Sequence, residues 1–293
     1  MMRNIFLTLI GCAYLTLLQA QSSRTHLNER IDTTNLNLQQ FASQIVSTAN
    51  TDYEKAKLLL NWLSQRLDWM DTDYQQRNVK EILHRGGGNC FDLAKVYMAL
   101  IQSLRLQHRP IAEINIHKYN ERRQQTAESK VKEHGNSMSV FGRQHNDHRW
   151  VEIYNATTKQ WEPVDPSMNV IGIDSWLKAR VWFGERITID TSTTNDMIVP
   201  FAVFVTGPSK SDMKESRTAY YLVEAFDKLY NHQLSKLPSW KAWTEGVLAL
   251  ETPARGAFMG KENLHLYDKQ IADLATVYQQ LRVEYEAACL PKK

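Results

Sequence analysis

Cys90 stands directly after three glycines and an asparagine, in "RGGGNC", and opens the apolar-periodic stretch "CFDLAKVYMALIQSLR". That periodicity predicts a buried helix beginning at the cysteine. A helix N-terminus presents unpaired backbone N–H groups and the positive end of the dipole. A thiolate placed there is stabilised, which populates the nucleophilic form. The glycines allow a tight turn and a close approach to substrate, and they leave N–H groups to face a developing oxyanion. Asn89 is a candidate for that oxyanion region, and equally for an N-cap. The competing reading of Cys90 is a buried cysteine, or one oxidised with Cys289.

A thiol nucleophile needs a base and a group that orients the base. His148 opens "HRWVEIY" and Asp165 closes "WEPVD". Both stretches alternate as strands, and a turn at 155–159 joins them into a hairpin. The two outer ends of a hairpin lie side by side. His148 and Asp165 are therefore neighbours in space although they are 17 positions apart in sequence. The aspartate would fix the imidazole tautomer, and the imidazolium would sustain the Cys90 thiolate. Asp165 before Pro166 also suits a turn cap. His145, Asp147 and His148 are too loosely spaced, with no further ligands nearby, to predict a metal site.

The elements that must hold these residues follow from the pattern. Helical spacing runs from about Leu36, and again after Thr51 and Asp52, where Leu58, Leu59, Trp62, Leu63 and Leu67 form a stripe. "NVKEILHRGG" reads as a short helix stopped by glycine. "RPIAEINIH" and "PFAVFVTG" read as strands, and the chain after Lys214 reads as helical. Residues 118–146 are polar and turn-rich, an excursion placed to act as a lid or specificity loop. Trp62, Trp69 and Trp150 are aromatic candidates for the cleft wall, with core packing the favoured reading of each. The same choice holds for Trp240 and Trp243 in "SWKAWTEG". "NAT" at Asn155 is an acceptor sequon in a eukaryotic secretory setting.

Two segments together resemble a known family. "ILHRGGGNCFDLAKVYMALIQSLRLQHRPIAEI" followed by "HRWVEIYNATTKQWEPVDP" is similar to the transglutaminase-like superfamily. Its members carry a G-x-C-x-D-x-A helix start, an H-x-W-V-E strand and a W-x-x-V-D-P strand. The resemblance covers roughly residues 55–170. It implies an α+β, papain-like core with an antiparallel sheet packed on the nucleophile helix. It also implies Cys90, His148 and Asp165 as catalytic triad; Asn89, Trp69 and Trp150 are substrate or oxyanion candidates from their own residue types and positions, not from the resemblance. The chain departs from the family at "LQHRPI", where glycine is usual.

The chain has 293 residues and a formal charge of +3, ordinary for a packed protein and with no basis for nucleic-acid binding. "MMRN", the apolar "IFLTLIGCAYLTLL" and Ala20 read as a signal peptide over residues 1–20, which implies export to the periplasm or beyond. "LIGC" at Cys12 offers a lipoprotein signal as the alternative. No other stretch suits a transmembrane anchor. Residues 21–170 are expected to hold the N-terminal helices and core. Residues 171–293 form a mainly helical region matching no known pattern. The expected function is thiol-dependent acyl chemistry on amide or peptide bonds of a protein or cell-envelope peptide, with no cofactor and no metal. Hydrolysis is favoured over transamidation, since water is always present. Transglutaminase-type crosslinking and an inactive binding module in the envelope are the alternatives.

Overall fold

The computed structural model describes residues 31–70, 73, 75–118, 125, 129, 133, 145–181, 183, 199–207 and 212–289. The signal-peptide and lipobox expectations, and nearly all of the 118–146 excursion, lie outside the described residues. The first helices are α1 (Leu38–Ile45) and α2 (Asp52–Arg66). Thr51 starts α2 with a capping box, its hydroxyl accepting from the Glu54 N–H while Glu54 reaches back to the Thr51 N–H. A short strand β1 (Asp68–Trp69) follows, then α3 (Val79–Arg85). Gly86 ends α3 in the left-handed region at φ 82°, where a side chain would be strained. Gly87 and Gly88 form β2, parallel to β1, and α4 (Cys90–Ser103) starts two residues later.

The main sheet is antiparallel and six-stranded. Its members are β3 (His108–Lys118), β4 (His145–Asn155), β5 (Gln160–Asp165), β6 (Val170–Ile171), β7 (Pro200–Thr206) and β8 (Met213–Ser216), in the spatial order β6-β5-β4-β3-β7-β8. β4 and β5 are the predicted hairpin, with Tyr154 opposite Trp161 and Val151 opposite Val164. Arg105, directly before "LQHRPI", takes φ 59° in the turn that leads to β3, so a non-glycine side chain adopts the left-handed conformation there. Met213–Ser216 is a strand, and its last two residues fall where the sequence pattern suggested helix. Its residues are held by pairing with β7, a partner that local periodicity does not reveal. The sheet runs across residue 170: β7 and β8 continue the layer that β3, β4 and β5 begin.

Helices cover the sheet in two groups. α1 to α4 pack their apolar faces together with Val151, Ile153 and Val164. The C-terminal part contributes α5 (Ile173–Arg180), a π-helical turn at Tyr220–Glu224 leading into α6 (Ala225–Leu229), α7 (Trp240–Phe258) and α8 (Asp268–Cys289). These enclose Ile111, Ile114, Trp150 and the fully buried β7. Trp243 is buried and donates its indole N–H to the Leu222 carbonyl, and Trp240 is 9% exposed, so "SWKAWTEG" is packing rather than a binding surface. Asn155 is also buried, its side chain accepting from the Thr157 N–H. Among the described residues, no helix is long and apolar enough to cross a membrane.

Candidate active site

Cys90 is the first residue of α4, and Asn89 is its N-cap. The Asn89 side-chain oxygen accepts from the N–H groups of Phe91 and Asp92, at 3.0 and 3.1 Å. Two of the helix-start donors are thus committed to the cap, and the N–H of Cys90 itself lies outside it. The glycines before Cys90 answer internal contacts as well as any substrate. A Cβ on Gly87 would run into the Asp68 backbone across the β1–β2 pairing, and one on Gly88 into the Asp92 side chain. Asp92 is buried, and burial raises its pKa against the lowering effect of Arg77, whose guanidinium lies 3.8 Å away. Close packing therefore fixes the approach to Cys90 from both sides.

The hairpin brings the other two residues together. His148 Nε2 lies 2.6 Å from Asp165 Oδ2, with His148 8% exposed and Asp165 fully buried. The second carboxylate oxygen, Oδ1, accepts from the Ser167 N–H at 3.1 Å and from the Ser167 hydroxyl at 2.7 Å. Asp165 thus caps its turn and orients the imidazole at once. Burial pushes the His148 pKa down. The Asp165 carboxylate, the Cys90 thiol and hydrogen bonds to both outweigh burial and hold His148 well above the usual imidazole range. The imidazole therefore meets the buried carboxylate through Nε2, and the thiol is near enough to help raise its pKa. Cys90 and Cys289 are both free, so the predicted alternative of a disulfide is not what the fold contains.

The remaining expectations separate. Trp69 is 48% exposed, and its backbone pairs with Gly88, which places an open aromatic surface beside the approach to Cys90. Trp150 takes the core reading and not the cleft-wall one. It is 1% exposed, its indole N–H donates to Glu113 at 2.8 Å, and its ring packs on Trp176 and Tyr221 at 5.0 and 5.3 Å. It supports β4 from inside the core and touches no cleft. Asn89 acts through the cap. The His145 side chain lies outside the described residues. Ser167 was missed. Its signal was local: a serine two residues after an aspartate is a turn that can tie the carboxylate.

Residues 39–166 match the family model described as the transglutaminase-like superfamily. Over this segment the chain resembles that superfamily. The transglutaminase-like segment contains Cys90, His148 and Asp165. Similar solved structures include a candidate cysteine protease from Cytophaga hutchinsonii, at 16% identity and TM-score 0.31, with 50% of this chain and 48% of that one covered. Legionella pneumophila LapG matches at 12% identity and TM-score 0.30, over 68% of this chain and 100% of LapG. A Rad4–Rad23 complex bound to a 6-4 photoproduct UV lesion matches at 12% identity and TM-score 0.33, over 93% of this chain and 58% of that one. The chain spans about half the length of the first and last of these. No curated protein matches the chain.

Proposed function

We propose that the protein is an exported, thiol-dependent acyl-transfer enzyme acting on amide or peptide bonds, hydrolytic rather than transamidating. The observation that carries this reading is the imidazole of His148 hydrogen-bonded to the buried Asp165 carboxylate, with its pKa raised by that carboxylate and by the Cys90 thiol. The Cys90 thiolate attacks the carbonyl carbon, and the Cys90 N–H at the helix start faces the oxyanion. Collapse breaks the C–N bond, and His148 gives its proton to the departing amine. Water then adds to the thioester, losing its proton to His148, and the thiolate leaves to give the carboxylic acid. An amine in place of water would give transfer. A Cys90–Cys289 disulfide would have favoured an inactive binding module, and both thiols are free.

The test is mass spectrometry of a peptide-amide library incubated with the mature protein, with and without added methylamine. Acid products mean hydrolysis, and methylamides mean transfer. Cys90→Ala removes the nucleophile and should abolish both while the circular dichroism spectrum stays native. Asp165→Asn should lower the rate by about 10²–10⁴-fold, since it removes orientation rather than attack. A folded Cys90→Ala protein that still cleaves would end the proposal.

A further inference from the structure

We propose that Arg149 forms a carboxylate-binding subsite beside Cys90, so that the preferred substrate carries an acid group next to the amide that reacts. This rests on the thiol chemistry proposed above. Strand alternation puts Arg149 on the same face of β4 as Val151 and Ile153. Those two residues pack in the core built by α4, the helix that Cys90 heads. Arg149 and Cys90 also interact through charge, although burial is the largest influence on the guanidinium and lowers its pKa. The side chain stays cationic, since arginine does not deprotonate in proteins.

Arg149 is only 9% exposed, and a guanidinium so buried ordinarily holds a carboxylate. Elsewhere in this protein that rule is met. Arg109 and Arg217 both hydrogen-bond Glu152, and Arg180 pairs with Glu113. Arg149 differs. Among the described residues, the carboxylate within 4 Å of it is that of Asp147, at 3.8 Å, beyond hydrogen-bond distance. Its other neighbour is the ring of Phe258, 5.1 Å away, which accepts no strong hydrogen bond. The five-donor fork therefore keeps capacity that a planar carboxylate fits in bidentate fashion.

Two alkylating agents test this without a known substrate. Iodoacetate carries a carboxylate and iodoacetamide does not, while both form the same thioether bond and release iodide. The intact mature chain is labelled with each, and peptide mapping gives the rates at Cys90 and at Cys289. The expected result is an iodoacetate-to-iodoacetamide ratio at Cys90 roughly tenfold above that at Cys289, a size suited to one charge-assisted contact. Arg149→Gln should bring the two ratios close together, and Arg149→Lys should retain part of the difference. Equal ratios at the two cysteines in the unaltered chain would overturn the subsite. So would an Arg149→Gln protein that keeps the high ratio, since the anion would then be drawn by His148. A variant that slows both reagents equally would also overturn it, leaving Arg149 as a support for the thiolate alone. If Cys90 reacts with neither reagent, the thiol chemistry itself fails and the subsite with it. Should Arg149→Gln not fold, protection of the unaltered chain decides. Acetate must slow iodoacetamide at Cys90 more than acetamide does, and equal protection rejects the proposal.

Discussion

The two cores of this protein are built from different materials. Beneath α4, the buried side chains are almost all aliphatic: Leu59, Leu60, Leu63, Ile82, Leu83, Leu93, Val96, Leu100 and Ile101, with Tyr97 the exception. The C-terminal core is aromatic, with Trp150, Trp176, Trp243 and Phe226 fully or nearly buried, and it contains charge. Glu113 pairs with Arg180, and Glu152 takes Arg109, Arg217 and the Tyr221 hydroxyl, the last at 2.5 Å. Both glutamates are fully buried on strands next to the site. Aliphatic packing fills volume without direction, whereas hydrogen-bonded ion pairs fix angles. Cys90 belongs to an element positioned mostly by volume, with the Tyr97 hydroxyl donating to the Ala56 carbonyl and buried Asp92 near Arg77 as its directional contacts. His148 lies on a strand, β4, whose other residues Trp150 and Glu152 are fixed by directional contacts.

The difference can be broken most sharply at Arg180. Arg180→Met leaves Glu113 as an uncompensated buried charge and should cost about 3–5 kcal/mol in urea unfolding. Adding Glu113→Leu should restore most of that loss, because a well-packed apolar pair can replace a buried ion pair. Leu63→Ala, in the aliphatic core, should cost about 2–5 kcal/mol through lost transfer energy and the cavity left behind. No partner substitution is placed to recover it, since Leu63 has many weak contacts rather than one strong one. Equal recovery in both cores would erase the distinction.

A smaller effect links the two cores through pH. The folded-state pKa of His148 lies well above the unfolded reference of about 6.5. A raised histidine pKa means that the folded state holds the proton more tightly than the unfolded chain. The stabilisation is then fully present below about pH 6.5 and is lost as pH rises through the folded-state value. The stability gap between the natural protein and His148→Gln should therefore be widest near pH 6 and narrow steadily toward alkaline pH. Urea midpoints measured across that range check this. A gap that widens with pH would mean that His148 is held neutral, and the reading of its surroundings would have to be reversed.

What was legible in the chain follows the same division. Caps, the glycine stop after α3, the helix that Cys90 opens and the β4–β5 hairpin depend on residues a few positions apart, and the sequence carries those signals directly. His148 and Asp165 were placed together because one short turn joins their strands. The partner of the Trp150 indole was not legible, because Glu113 lies 37 positions away. The joining of β7 and β8 to the sheet was hidden in the same way, since Glu113 pairs with Val203 across 90 positions. The glycines also have neighbours that the sequence did not reveal. Beside the substrate approach expected of them, Asp68 and Asp92 exclude a side chain at Gly87 and Gly88.

The smallest predicted effect tests whether position by volume suffices for Cys90. Asn89 contributes directional contacts to the start of α4, accepting from Phe91 and Asp92. Asn89→Ala removes both and should cost about 1 kcal/mol, the usual value for a lost N-cap. The helix should survive, because its buried face from Leu93 to Ile101 keeps its packing. The informative readout is therefore the rate of Cys90 alkylation by iodoacetamide, beside the unfolding free energy. If aliphatic packing alone sets the thiol against His148, the rate should fall in proportion to the small stability loss. If the rate falls by a hundredfold while stability changes by only about 1 kcal/mol, the cap is what aims the first turn. The aliphatic half of the molecule would then contain its own directional device at the one residue where an angle matters.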